Sequence, residues 1–363
     1  MKKLGIIGWR GMVGSVLINR MLENNDFLNL DTTFFSTSAY GNSPPNIGIK
    51  LPLLANAFDI DTLKQMDILI STQGGSYTEQ IYTSLRNSGW HGYWIDAAST
   101  LRMKNDACLI LDPVNRKQID NALDDGIKNF IGSNCTVSLM MLAIHGLLES
   151  DLVESITAMT YQAISGAGAK ALKELIKQYQ YLLQDINLND DALILEKKLR
   201  HKIDHTDFPK EVLPNTLAFN LLPWIDIKMG NGQSKEEYKA YAEMNKILNS
   251  QIPIDGICTR VSSLRSHSQA LSIKLKDNLT TNEIKSYVEN ANSWVKFIDN
   301  DPQQTLKQLT PITTSGTLDI AVGRLRKSNL NEKLIHLFTV GDQLLWGAAE
   351  PLRRMLNILL NRI

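Results

Sequence analysis

The sequence predicts an α/β fold in two parts, a mostly parallel sheet covered by helices followed by an α+β region. Three observations predict it. Short apolar runs alternate with helical periodicities from Leu4 to about Ser150. Gly8, Gly11 and Gly14 stand between the first apolar run and the first helical one. Beyond Asp151 the pattern changes, and Ser155 to Ala163 alternates like a strand of an antiparallel sheet. A chain of 363 residues accommodates two such domains, each with its own core.

Leu4 to Ile7 reads as a buried strand and Ser15 to Leu22 as a helix. The loop between them has the spacing G-x-x-G-x-x-G rather than the commoner G-x-G-x-x-G. Strand, glycine loop and helix in that order suit a Rossmann-like dinucleotide site, with the pyrophosphate at the helix N-terminus. The alternative is a glycine-rich turn of purely structural use. The second strand covers Thr33 to Phe35 and ends in Ser36, Thr37 and Ser38, with Asp31 placed before it. A carboxylate at that end would bind a ribose 2′-hydroxyl, whereas hydroxyls donate to a 2′-phosphate. That points to NADP, although no arginine in this loop supplies a phosphate clamp.

Tyr40 to Pro52 is a surface loop. Met66 to Thr72, Tyr93 to Asp96, Cys108 to Leu111 and Asn129 to Gly132 read as further strands, and Tyr77 to Ser88 as a helix. Ligands of such sheets bind beyond the strands' carboxyl ends. Gln73 to Gly75, Ser99 to Arg102 and Cys135 all follow strand ends, so they converge on one cleft with the glycine loop. An apolar helix runs from Cys135 to near Ser150. In the second region, helices are expected from Lys170 to Gln184 and from Ser234 to Leu248. Strands are expected at Gly256 to Val261 and Ser268 to Leu275, and an amphipathic helix at Leu345 to Leu356, with Pro351 in its first turn or at a kink.

Composition excludes several classes. The 43% hydrophobic and 21% charged content is that of a globular protein. Lys+Arg and Asp+Glu both number 38, so no basic field calls for nucleic acid or an anionic membrane. Three cysteines make no disulfide framework and point to a reducing compartment. The first apolar run is broken at Gly8, too soon for a signal peptide, and no run reaches the ~18 residues of a membrane span. The expectation is a cytoplasmic protein.

Cys135 at a strand-to-helix junction faces the positive end of a helix, which favours a thiolate nucleophile. The alternative is a small buried hydrophobe. His267, between Arg265 and the next strand, is a candidate acid/base for that thiol or else a surface histidine. His201 and His205 have i, i+4 spacing but no third ligand, so no metal is assigned. Cys108 and Cys258 read as core, and Glu236 with Lys239 as a solvated helix pair.

Taken together, the chain resembles the aspartate-semialdehyde dehydrogenase family in its proteobacterial branch, from Met1 to the C-terminus. The segments that carry the resemblance are Gly8 to Ser15, Phe34 to Ser38, Gly132 to Thr136, Tyr161 to Ala163, Arg265 to Ala270 and Val340 to Pro351. It implies a cofactor domain over residues 1–133, completed by a C-terminal helix over about 345–363, and a catalytic and dimerisation domain over 134–344. Cys135 then matches the acyl-thioester nucleophile and His267 the acid/base. Gln162, Glu236 and Arg260 match substrate-binding positions; a guanidinium fork suits an α-carboxylate. Arg102 and Lys239 match phosphate-binding cations, against the solvated-pair reading of Lys239. Arg10, Gly11, Met12, Val13, Thr37, Ser38, Gln73, Ser165, Gly166 and Gln343 match NADP contacts. Relatives commonly have glycine where Ser133 and Ala167 stand.

The implied reaction converts aspartate 4-semialdehyde, phosphate and NADP⁺ reversibly into 4-aspartyl phosphate and NADPH, in biosynthesis of lysine and diaminopimelate, threonine and methionine. A homodimer is implied as well. The rival readings are another phosphorylating dehydrogenase, such as N-acetyl-glutamyl-phosphate reductase, and a cofactor-binding paralogue without turnover. Glu236 argues against the first, because an acetylated nitrogen offers no ammonium; the joint presence of Cys135 and His267 argues against the second.

Overall fold

Leu4, Ile6 and Ile7 are fully buried because their strand, β1 (Lys2–Ile7), runs through the middle of a seven-stranded sheet. The computed structural model describes residues 1–362. The other strands of this sheet are β2 (Leu30–Ser36), β3 (Ala55–Asn56), β4 (Ile68–Ser71), β5 (Tyr93–Asp96), β6 (Ala107–Ile110) and β7 (Asn129–Gly132). Their order is β3-β2-β1-β4-β5-β7-β6, and every pairing is parallel. Parallel neighbours require crossovers, which the helices Met12–Glu23, Gly75–Asn87 and Asp112–Asp124 help supply. Helices on both faces explain why β4 is buried along its whole length and apolar from Ile68 to Ile70. The order reverses between β1 and β4, which opens a crevice beyond their carboxyl ends.

The second sheet contains β8 (Val153–Gln162), β9 (Ile254–Arg260), β10 (His267–Leu275), β11 (Val295–Phe297), β12 (Ile320–Lys327) and β13 (Leu334–Gly341), ordered β11-β12-β13-β10-β8-β9. It is mixed rather than antiparallel throughout. β10 is antiparallel to β8 and β13, but β8 pairs with β9 in parallel. The long excursion from β8 to β9, through the helices Ala169–Leu183, Ala192–Ile203 and Lys235–Leu248, makes that parallel return feasible.

One apolar core joins the two parts. It extends from Ile7 and Ile131 through Met140 and Leu142 to Leu271 and Leu337. A second cluster sits beneath the C-terminal helix Glu350–Leu360, where Leu352, Met355, Leu356 and Leu359 pack with Leu4, Ile6 and Leu17. The chain's end therefore returns to the N-terminal domain as expected, and Pro351 lies in the helix's first turn.

Three local readings are corrected. Asp31 lies within β2, one residue from its start. The helix after Cys135 breaks at Ile144, where φ is −118°, and resumes as His145–Glu149. The polar stretch after Asn187 contains the helix Ala192–Ile203, whose narrow stripe of Leu195, Leu199 and Ile203 is only half-buried and is interrupted by charged residues. Among the described residues, no helix is long and apolar enough to cross a membrane.

Candidate active site

Asn134 begins the arrangement. It caps the helix Cys135–Ala143, its Oδ1 accepting the N–H groups of Thr136 at 2.9 Å and Val137 at 3.3 Å. The next residue, Cys135, is thus the first of the helix and is partly buried. Its Sγ lies 3.2 Å from Nε2 of His267, the first residue of β10. His267 is fully buried, and its Nδ1 accepts the Ala163 N–H at 3.1 Å. The neighbours therefore assign the ring proton to Nε2, facing the sulfur. In this tautomer the Nε2–H donates to sulfur or to an oxyanion.

The electrostatics also correct the expectation of a preformed thiolate. Surrounding protein atoms desolvate the thiol and, with Glu236, push it up to about 12 against Arg260, Arg102 and Lys239. Burial, reinforced by Arg260, pulls His267 down to about 3. Neither group is charged near neutral pH.

Gln162 ends β8 and Arg260 ends β9, and the parallel register places them side by side. Both are buried. Arg260 donates from Nη1 to the Ala163 carbonyl at 2.8 Å, which fixes one arm of its fork. Glu236 is only 7% exposed, so the solvated-pair reading fails. Its Oε1 accepts from Asn134 Nδ2 at 2.9 Å and Gln162 Nε2 at 3.2 Å, and its Oε2 from Lys239 Nζ at 2.9 Å. Burial alone would raise the Glu236 carboxyl, yet Lys239, Asn134 and Gln162 hold it below the usual carboxylate range.

Arg102 is tied down on all three nitrogens. Nε donates to Gly132 O at 2.7 Å, Nη2 to Ala97 O at 3.0 Å and Nη1 to Glu243 Oε1 at 3.0 Å. The other Glu243 oxygen accepts the Asn134 N–H at 2.6 Å. Lys239 also donates to Asp226 at 2.8 Å. Sequence reasoning missed Glu243 and Asp226. Glu236, Lys239 and Glu243 are spaced i, i+3, i+7, the signature of one helix face; only the packing shows that this face is buried.

A separate cleft of about 730 Å³ opens at the crevice between β1 and β4, lined by Gly8, Arg10, Gly11, Ser36, Thr37, Ser38, Gln73 and Lys170 among others. Gly8 has φ +82°, and a Cβ there would fall 2.5 Å from the Gln73 nitrogen. A Cβ on Gly14 would fall 2.3 Å from the Gly8 oxygen. Both glycines are thus required by close backbone approach. Arg10 donates to Ser36 Oγ at 3.1 Å and Ser38 Oγ at 3.2 Å, so the cation absent from the serine loop arrives from the glycine loop. With Arg10, Lys170 and the hydroxyls of Ser36, Thr37, Ser38 and Thr72, and no carboxylate among the described lining residues, the cleft fits the anionic end of a dinucleotide. Gly11 caps the helix Met12–Glu23 without a side chain, which leaves the first-turn N–H groups of Met12 and Val13 facing outward. Lys170 was not foreseen.

Ser165, Gly166 and Gln343 do not line that cleft but surround the Cys135–His267 pair. Gln343 accepts the Ser266 N–H at 2.7 Å and donates to Ser165 Oγ. A Cβ on Gly166 would lie 2.9 Å from Arg260 Nη1 and 3.2 Å from His267 Cε1. The Ser133 hydroxyl, 2.6 Å from that of Ser138, turns into the buried helix rather than toward the thiol. His201, in the helix Ala192–Ile203, and His205, just past its end, meet edge to face with ring centres 5.6 Å apart. Among the described residues no cluster of three or more His, Cys, Asp or Glu is grouped to hold a metal.

Comparisons with known proteins identify the family. The family described as semialdehyde dehydrogenase, NAD binding domain, matches residues 3–122, and the semialdehyde dehydrogenase dimerisation domain matches residues 144–346. The chain is similar to the aspartate semialdehyde dehydrogenase of Francisella tularensis at 57% identity, with a TM-score of 0.96 over 99% of this chain and 100% of that one. The fold alone is shared with aspartate semialdehyde dehydrogenase II of Vibrio cholerae in complex with ASA (22% identity, TM-score 0.81, covering 100% and 99%). The same holds for the Candida albicans enzyme with NADP (18% identity, TM-score 0.66, covering 99% and 98%).

Proposed function

The chain belongs to the aspartate semialdehyde dehydrogenase family and is an oxidoreductase acting on an aldehyde; we propose that it interconverts L-aspartate 4-semialdehyde plus phosphate with L-4-aspartyl phosphate through a thioester on Cys135, using NADP. The observation that carries this reading is the 3.2 Å Cys135–His267 pair beside a buried arginine and a buried carboxylate. Arg260, with one arm held by Ala163, presents its remaining donors to the substrate α-carboxylate. Glu236 takes the α-ammonium, and Gln162 orients the acyl carbon. Arg102 and Lys239 receive phosphate.

The arrival of an ammonium at Glu236 neutralises the carboxylate that raises the Cys135 thiol. The opposing cations then act without that counterweight, so the bound ammonium lowers the thiol's pKa and makes the nucleophile easier to deprotonate. His267, whose Nε2 proton faces the sulfur, gives that proton to the carbonyl oxygen as sulfur adds and takes the thiol's proton in its place, so the S–H proton is carried over to the new hydroxyl. NADP, when bound, supplies or takes the hydride at the acyl carbon. Arg10, Gly11, Met12, Val13, Thr37, Ser38 and Gln73 hold its adenosine and phosphate end, while Ser165, Gly166 and Gln343 shape the wall beside the thiol. The preference for NADP rests on Arg10 and the hydroxyls of Ser36 to Ser38.

The reading assigns cofactor binding to residues 1–133 with 345–363, and catalysis and dimer formation to 134–344. It makes the protein a cytoplasmic homodimer in biosynthesis of lysine, diaminopimelate, threonine and methionine. The three cysteines, all free, suit that compartment. The test is NADPH formation from aspartate semialdehyde, with and without phosphate, by the wild type and Cys135→Ser. The wild type should need phosphate and use NAD⁺ poorly. The variant should lose turnover while still binding NADP in a fluorescence titration. Turnover near wild type in the variant, or none of the expected dependence on phosphate, overturns the mechanism.

A further inference from the structure

Lys239 is shared between two carboxylates. Its ammonium donates to Glu236 at 2.9 Å and to Asp226 at 2.8 Å, and its side chain is only 14% exposed. Burial alone would lower its pKa, but the two acids hold it above the ordinary lysine value. A phosphate dianion on the same ammonium would meet both carboxylates at contact range, an arrangement of like charges that is unfavourable in a partly desolvated site.

The two acids differ in how firmly they are held. Glu236 is 7% exposed and has two further donors, Asn134 and Gln162. The Asp226 side chain is 29% exposed, and beyond Lys239 it accepts, among the described residues, only the adjacent Ile227 N–H, at 2.8 Å. Asp226 lies outside regular structure with φ +73°. Its loop is anchored independently of the carboxylate: Trp224 Nε1 donates to the Asp226 carbonyl at 2.8 Å, Lys235 N–H to Ile227 O at 2.8 Å, and Lys228 bridges Ser234. Rotation of one side chain therefore frees Lys239 while the loop stays in place. Arg102 has no such exchangeable partner, because Glu243 is 2% exposed and also binds the Asn134 N–H.

We propose that Asp226 is a positioning residue that holds Lys239 from the side that substrate phosphate takes, and that phosphate displaces it. This rests on the assignment of Lys239 to phosphate above. A carboxylate there keeps the ammonium aimed into the cleft and sets the phosphate concentration at which the site fills.

The test is the phosphate KM in the oxidative direction for the wild type, Asp226→Asn and Lys239→Ala, with phosphate titrated calorimetrically into the same proteins. Asn keeps the shape and removes the competing charge. Asp226→Asn should lower the phosphate KM about fivefold, the scale of a partly exposed ion pair. The KM for aspartate semialdehyde and for NADP should not move, a pattern that loss of packing does not produce. Lys239→Ala should raise the phosphate KM at least as much. If Lys239→Ala leaves the phosphate KM unchanged, the assignment of Lys239 fails and the proposal with it. If Lys239→Ala raises it but Asp226→Asn leaves it unchanged or raises it, the displacement alone is overturned.

Discussion

At Cys135 three cations and two contacting environments pull in opposite directions. Desolvation and Glu236 keep the proton on sulfur; Arg260, Arg102 and Lys239 favour its loss. Removing the charge at Glu236 must therefore lower the thiol's pKa. Glu236→Gln should be alkylated by iodoacetamide faster than the wild type at pH 8. With the wild-type thiol near 12, its own alkylation rate should rise about tenfold per pH unit from pH 7 to 9 without a plateau. A wild-type plateau near neutrality, or a variant alkylated no faster, contradicts this account of the nucleophile.

The elements around the thiol act through close packing. The cap at Asn134 sets where the helix starts, and its side chain also bonds Glu236. On the opposite side the π-helical turn Leu345–Ala349 brings Gly347 against the nucleophile. A Cβ at Gly347 would sit 2.7 Å from Cys135 Cβ and 3.1 Å from its Cα. Backbone or thiol must shift to admit it. Gly347→Ala should reduce kcat by about 100-fold, the usual cost of an ångström of misplacement, with little change in far-ultraviolet dichroism. Retained kcat would show that the turn does not position the thiol.

The whole molecule is closed by its C-terminal helix. Arg353 is 8% exposed and joins Glu350 at 2.9 Å and Asp26 at 2.8 Å, while Arg20 reaches Glu350 at 3.0 Å. Burial would raise the Glu350 carboxyl, but Arg353 and Arg20 hold it below the ordinary value. A depressed acid contributes stability fully above its unfolded pKa and loses it as pH falls through the folded value. Arg353→Met leaves two buried acids without this partner and should cost about 3 kcal/mol, seen as a Tm several degrees lower at pH 7. The gap from wild type should narrow as pH falls below the ordinary carboxylate range. An equal Tm at pH 7 removes this network from the account of how the end is held.

By itself the sequence determined the alternation of strands and helices in the first sheet, because burial on both faces imposes uninterrupted apolar runs such as Ile68 to Ile70. It also determined the glycine loop, since Gly8 and Gly14 occupy sites with no room for a Cβ, and it brought Cys135 and His267 forward, with Arg260 and Gln162 added through the family resemblance. Only the tertiary structure decided three things. The parallel β8–β9 pairing depends on a long excursion whose return no local pattern specifies. The buried state of Glu236 and Glu243 depends on what covers their helix face. The charge state of the Cys135–His267 pair depends on desolvation and on the Ala163 N–H, both set by residues distant in sequence.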